Sequence, residues 1–143
     1  MSKASTYLLL FIFVILFSSC GNKTSDFPRT DGLYITPEFM VQEKPVQSYI
    51  RFLENGTVKE TYVKPDQDTK EIMKILGGES TLEIPVTKFR VDDNRALFEY
   101  KYDEGSVGYT CVDRGEGKMT VIVYSDITKK DFERNYTFVE VDE

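Results

Sequence analysis

The chain has 143 residues, enough for one domain of ordinary size and too few for two. Its 18 basic and 24 acidic residues give a net charge of -6, which argues against a nucleic-acid-binding protein. It contains no histidine and only two cysteines, which excludes histidine-based catalytic triads, histidine-ligated zinc and cysteine-rich metal sites.

The first 19 residues have the layout of a secretory signal. Lys3 supplies a positive charge, Leu8–Phe17 is an unbroken apolar run of ten residues, and two serines precede Cys20. A membrane-spanning helix needs about 20 apolar residues, so a cleaved signal explains the run better than a permanent transmembrane anchor. We therefore predict a signal peptide over residues 1–19.

The stretch Leu16–Cys20 (LFSSC) resembles a lipobox, the sequence that bacterial lipoprotein signal peptidase recognises. The resemblance implies that Cys20 receives a diacylglycerol on its sulfur and becomes the N-terminus of a lipoprotein. The expected partner is then the membrane, reached through this lipid, and the expected location is the bacterial cell envelope. Gly21 follows the cysteine where an Asp would argue for inner-membrane retention, so the outer membrane is favoured over the inner membrane.

Residues 20–31 are predicted to be the lipidated cysteine and a flexible tether, because this stretch is polar and has no hydrophobic period. The domain itself is predicted to occupy residues 32–143. From Gly32 onward, apolar and polar residues alternate with the period of a β-strand. The first predicted strand is Gly32–Thr36, and Pro37–Gln47 is predicted to be a loop.

A hairpin is predicted next, from two alternating segments. Ser48–Leu53 and Thr57–Val63 flank the tripeptide Glu54–Gly56, which contains Asn-Gly. Both residues of this pair tolerate positive φ, so Asn-Gly between alternating runs is a strong hairpin signal.

One amphipathic helix is predicted at about Thr69–Leu76. Asp68 stands three residues before Glu71, the spacing of a capping box, and Gly77–Gly78 is expected to end the helix. The apolar residues at helical spacing are Ile72, Met73, Ile75 and Leu76. This apolar face is expected to pack against a sheet.

Further segments alternate as strands do and are separated by short polar turns. They are Leu82–Val91, Ala96–Tyr102, Ser106–Val112, Lys118–Tyr124 and Asn135–Val141. About eight strands joined mostly by tight turns predict an all-β, mainly antiparallel domain with one short helix. The order of the turns favours an up-and-down meander that forms a barrel or half-barrel, and closure would remove exposed strand edges.

The segment Tyr49–Val58 (YIRFLENGTV) is similar to a hairpin of small lipocalin-like bacterial lipoproteins. The opening Gly32–Tyr34, the helix after the hairpin and the closing Tyr136–Val139 also match that group. The resemblance covers Gly32–Val141. It implies a lipocalin-like antiparallel barrel or half-barrel, and it implies no known activity.

Lipocalin-like barrels of about eight strands can hold one small ligand. The alternation of each strand then indicates which side chains would face that ligand. The aromatic residues expected on the inner face are Phe52, Phe98, Tyr100, Tyr109 and Phe138. Ile72 and Leu76 of the helix are expected to form a lid over the same pocket. Cys111 alternates with Tyr109 in its strand, so it is predicted to be a buried core cysteine and not a nucleophile.

No cofactor and no metal is expected. Asp66 and Asp68 are spaced like the start of a calcium loop, but Lys70 stands where a third ligand would be needed. Two functions stay open. One is non-covalent binding of a small apolar ligand inside the barrel, and the other is a structural or protein-interaction role, with a filled core and an envelope protein as partner. An enzyme is not expected.

Overall fold

A computed structural model describes residues 26–78 and 83–142, so the predicted signal peptide and Cys20 lie outside the described residues. Within the two described ranges, no helix has the length and hydropathy needed to span a bilayer. The elements are β1 (Gly32–Ile35), β2 (Phe39–Val41), β3 (Lys44–Phe52), β4 (Thr57–Val63), α1 (Thr69–Gly77), β5 (Val86–Asp92), β6 (Arg95–Tyr102), β7 (Gly105–Gly115), β8 (Lys118–Ser125) and β9 (Lys130–Glu140).

The strands form one antiparallel sheet that closes on itself. From β3 to β9, each strand pairs with the next one in the chain, as in an up-and-down meander. Strand β1 pairs with β9 on one side and with β3 on the other, which joins the two edges of the sheet. The predicted all-β meander is confirmed, and it forms a closed eight-stranded barrel rather than a half-barrel, with β2 as an extra strand beside β3.

The β3–β4 hairpin turns at the predicted place. Gly56 has a φ of +80°, and its position is open because nothing lies within 4 Å of an added Cβ. The N–H of Leu53 donates to the carbonyl of Thr57 over 2.8 Å, and Asn55 Oδ1 accepts from the N–H of Thr57 over 3.0 Å. This turn fixes the register of β3 against β4 and therefore decides which side chains of both strands point inward.

The predicted loop Pro37–Gln47 is in fact a hairpin. Phe39 pairs with Val46 between β2 and β3, and the turn residues Gln42 and Glu43 have φ values of 48° and 64°. Turns of this kind usually contain Gly, Asn or Asp, so no turn signal marks this hairpin in the sequence.

Helix α1 begins and ends close to the predicted residues. Asp68 Oδ1 accepts a hydrogen bond from the N–H of Lys70 over 2.9 Å, which confirms Asp68 as the N-cap. Gly78 has a φ of 95° at the C-terminal end, a conformation that glycine adopts without strain.

The apolar face of α1 covers the outside of the barrel. Leu33 and Tyr49 lie beneath the helix, whereas their neighbours Tyr34 and Ile50 belong to the interior cluster. Successive side chains of a strand point to opposite faces, so the helix packs on the outer face of β1 and β3. The buried members of this outer cluster are Leu33, Tyr49, Ile72, Met73, Leu76 and Val141.

A short segment before β1 lies against one end of the barrel, which we call the base. Phe27 packs against the interior cluster, with its ring 6.2 Å from the ring of Tyr34. The N–H of Arg29 donates to Tyr34 Oη over 3.0 Å, and its guanidinium forms an ion pair with Glu140 at 2.9 Å. Ring packing and these polar contacts hold Phe27 and Arg29 on the barrel.

Candidate functional site

The barrel interior contains most of the residues that the sequence analysis selected for ligand binding. The five that face it are Phe52, Phe98, Tyr100, Tyr109 and Phe138. Ile72 and Leu76 are also buried, but they belong to the outer cluster beneath α1. The structure thus brings the aromatic residues together and separates them from the helix, which is not a lid over the interior.

Aromatic rings pack directly against one another in the half of the interior next to the base. The ring of Phe52 lies 5.0 Å from that of Phe89, 5.7 Å from that of Tyr34 and 6.2 Å from that of Phe98, each in an edge-on arrangement. Tyr34 and Phe138 are 5.1 Å apart. Edge-to-face pairs at these distances are the favoured geometry of aromatic rings, so this half of the interior is a packed core.

The other half of the interior holds a carboxylate. Glu60 lies on β4 between the inward residues Val58 and Tyr62, and it is 9% exposed. Ser48 Oγ donates to Glu60 Oε1 over 2.9 Å, and Tyr136 Oη donates to the same oxygen over 3.3 Å. A carboxylate removed from water requires such donors, because burying it without them is costly.

Four tyrosine side chains lie close enough to Glu60 for its charge to affect them. Burial, followed by the nearby carboxylate, raises the pKa of Tyr62 to about 12. The same two causes raise the pKa values of Tyr100, Tyr109 and Tyr136 well above the ordinary tyrosine value. These hydroxyls therefore keep their protons at neutral pH. Together, Ser48, Glu60, Tyr62, Tyr100, Tyr109 and Tyr136 are called the polar cluster below.

The end of the barrel opposite the base, which we call the mouth, is lined by aromatic rings around Arg134. The guanidinium carbon of Arg134 lies 4.1 Å from the ring centroid of Phe39 and 4.4 Å from that of Phe132. Arg134 Nη1 also donates to Tyr62 Oη over 3.0 Å. Tyr62 and Phe132 are each 43% exposed, so solvent reaches this end of the barrel.

Glu60 and Arg134 were missed by the sequence analysis, although a signal for both was present. Each one stands between two inward-facing residues of its strand, with Tyr62 after Glu60 and Phe132 before Arg134. An ionisable residue at an inward position of an alternating strand is unusual, and this pattern would have predicted both residues as candidate site residues.

Cys111 is fully buried in the interior cluster, which confirms the prediction of a core cysteine. Burial raises the pKa of its thiol far above the ordinary value, so the thiolate needed for nucleophilic attack is disfavoured. Across residues 26–78 and 83–142, no three acidic or cysteine side chains are grouped so that they could hold a metal ion.

A hollow of about 600 Å³ lies along strands β5 to β8 and opens on the outer face of the sheet. Leu97, Ile122 and Tyr124 line it around Gly108, where the absence of a side chain leaves space.

Comparisons with protein-family models, with curated proteins and with solved structures found no match to the chain. The fold itself defines the class of the domain, which is an eight-stranded up-and-down β-barrel with a helix on its outer face. Its distinctive chemistry is a nearly buried carboxylate among tyrosine hydroxyls, below a mouth lined by aromatic rings.

Proposed function

We propose that the protein is a lipid-anchored lipoprotein of the bacterial cell envelope whose barrel binds a small, largely apolar molecule without covalent chemistry. The change in character along the interior is the observation that supports binding. Apolar rings pack around Phe52 in the half next to the base. In the other half, the packed rings of Tyr100 and Tyr109 lie with hydroxyls and a carboxylate, below the partly exposed mouth. Barrels of eight strands are wide enough to hold one small ligand.

The proposed ligand enters at the mouth, because Phe27 already packs against the interior at the base. It would lie against Tyr100 and Tyr109, with the stacked ring of Phe98 beside them, 4.5 Å from that of Tyr109. Phe52 and Phe138 lie in the packed half and would support the floor of the site. Binding is proposed in preference to catalysis, since the chain has no histidine and Cys111 is buried.

The anchoring half of the proposal is tested at Cys20. Replacing Cys20 by alanine should remove the acyl mass from the mature protein and release the protein from the membrane fraction. Intact-mass spectrometry and fractionation measure both effects. Cys111→Ala is the matched control, because it removes the other thiol of the chain and should leave lipid and membrane retention unchanged. Membrane retention of the Cys20→Ala protein would contradict the proposal.

The binding half is tested with an apolar fluorescent probe. The folded protein should bind the probe saturably with micromolar affinity, about -8 kcal/mol. Tyr100→Ala and Tyr109→Ala should weaken this binding more than they lower stability, because both rings would contact the ligand. Tyr124→Ala is the control, since Tyr124 is 50% exposed on the outside of β8 and should affect neither quantity. Fluorescence titration and chemical denaturation give the two values.

A structural or interaction protein is the second candidate, and the edge-on packing of rings around Phe52 favours it for the base half of the interior. If the polar half is filled in the same way, the partner would be an envelope protein bound on the outer surface. In that case no probe binds, and Tyr109→Ala costs roughly 3–5 kcal/mol of stability, as core aromatic truncations do.

A further inference from the structure

We propose that the ligand of the barrel carries an ammonium group and that Glu60 is its counter-ion. This inference rests on the proposed ligand-binding function and names the chemical class of the ligand. It is based on the groups that surround the inward-facing carboxylate of Glu60.

The carboxylate of Glu60 has hydroxyl partners but no cationic partner among residues 26–78 and 83–142. The ion pairs between those residues, within 4.0 Å, do not include Glu60. Its hydrogen bonds from Ser48 and Tyr136 both end on the same oxygen, Oε1. Buried charges in proteins are normally paired, so a cation that reaches this carboxylate gains a strong interaction.

Arg134 is a basic side chain near the polar cluster, and its contacts hold it at the mouth. Its Nη1 donates to Tyr62 Oη over 3.0 Å, and its guanidinium lies on the rings of Phe39 and Phe132. Tyr62 therefore binds the guanidinium directly, while the carboxylate of Glu60 affects the same hydroxyl from within the barrel.

The tyrosines around Glu60 suit a cation as well. Aromatic rings attract ammonium groups through the ring quadrupole. The rings of Tyr100 and Tyr109 lie in the same half of the interior as Glu60, with their centroids 5.8 Å apart. An anionic ligand would be repelled by the carboxylate, and a neutral one would leave it without a counter-ion. A small amine with an apolar body satisfies both the carboxylate and the rings.

Three water-soluble probes of nearly equal size test the proposal on the full chain: phenethylammonium, phenethyl alcohol and phenylacetate. Dissociation constants are measured by NMR titration. The ammonium probe should bind on the order of tenfold more tightly than the alcohol, and phenylacetate should bind most weakly. Glu60→Gln should abolish the preference for the ammonium probe while alcohol binding is retained. Glu133→Gln, which removes the same charge from an exposed position on β9, should leave the preference unchanged.

The outcomes separate the two proposals. If the alcohol binds as tightly as the ammonium probe, or if Glu60→Gln keeps the preference, the ammonium proposal is overturned and the ligand-binding function stands. If none of the probes binds, both proposals are overturned. Should Glu60→Gln fail to fold, the ranking of the three probes on the unaltered protein still decides the question.

Discussion

Replacing Phe52 by alanine should lower the free energy of unfolding by about 3–5 kcal/mol. Phe52 is fully buried, and its ring contacts those of Tyr34, Phe89 and Phe98. Strands of a closed barrel cannot move inward independently, so the space left by the ring stays largely empty and adds to the lost burial. Urea denaturation followed by circular dichroism measures the loss.

Phe132→Ala is the matched control for this experiment. Phe132 loses the same atoms on substitution, but it lies at the mouth and is 43% exposed. Its replacement should lower the free energy of unfolding much less, because far less buried apolar surface is lost. Equal losses for the two variants would show that the rings near the base are not the packed core described above.

Replacing Gly32 by alanine should lower the free energy of unfolding by roughly 3 kcal/mol, because the strands that close the barrel would be forced apart. Gly32 pairs with Glu140 where β1 meets β9. An added Cβ would lie 2.1 Å from the carbonyl oxygen of Val139 and 2.7 Å from the ring of Phe138. Backbone atoms cannot yield to this contact unless β1 shifts away from β9.

Gly108→Ala separates the steric effect from the general effect of replacing a strand glycine. Gly108 lies within β7, and nothing is within 4 Å of an added Cβ there. Its replacement should leave stability unchanged or raise it slightly, because alanine restricts the unfolded chain. Thermal melting of both variants gives the comparison, and a parental melting temperature for Gly32→Ala would contradict the close approach of β1 and β9.

Local signals predicted much of the fold correctly. Asn55 and Gly56 placed the β3–β4 turn, and Asp68 and Gly78 lie at the two ends of α1. These features depend on φ preferences and on hydrogen bonds between residues near each other in the chain, so one sequence contains them. Alternation then placed Phe98, Tyr100 and Tyr109 on one face, and the structure confirms that face as the interior.

Features that depend on distant parts of the chain were harder to predict. The amphipathic pattern of α1 shows that one face must be covered, but it does not say which side of the sheet covers it. Adjacent apolar residues on β1 and β3, such as Tyr49 beside Ile50, indicate strands covered on both sides. Glu60 was missed for a related reason, since its burial depends on hydroxyls from Ser48 and Tyr136, on strands β3 and β9.

The attachment of Phe27 to the base limits how the barrel could be oriented on a membrane. Phe27 is seven residues after Cys20, so a lipid on that cysteine, as proposed, would be at most about 24 Å of extended chain away. Strands of 8 to 11 residues, tilted as in other barrels, give a height of about 20 to 28 Å. Turning the mouth toward the bilayer would stretch the whole connection. A mouth that faces water needs no such extension, and in that orientation a ligand would be exchanged with the aqueous compartment instead of passing directly from the lipid.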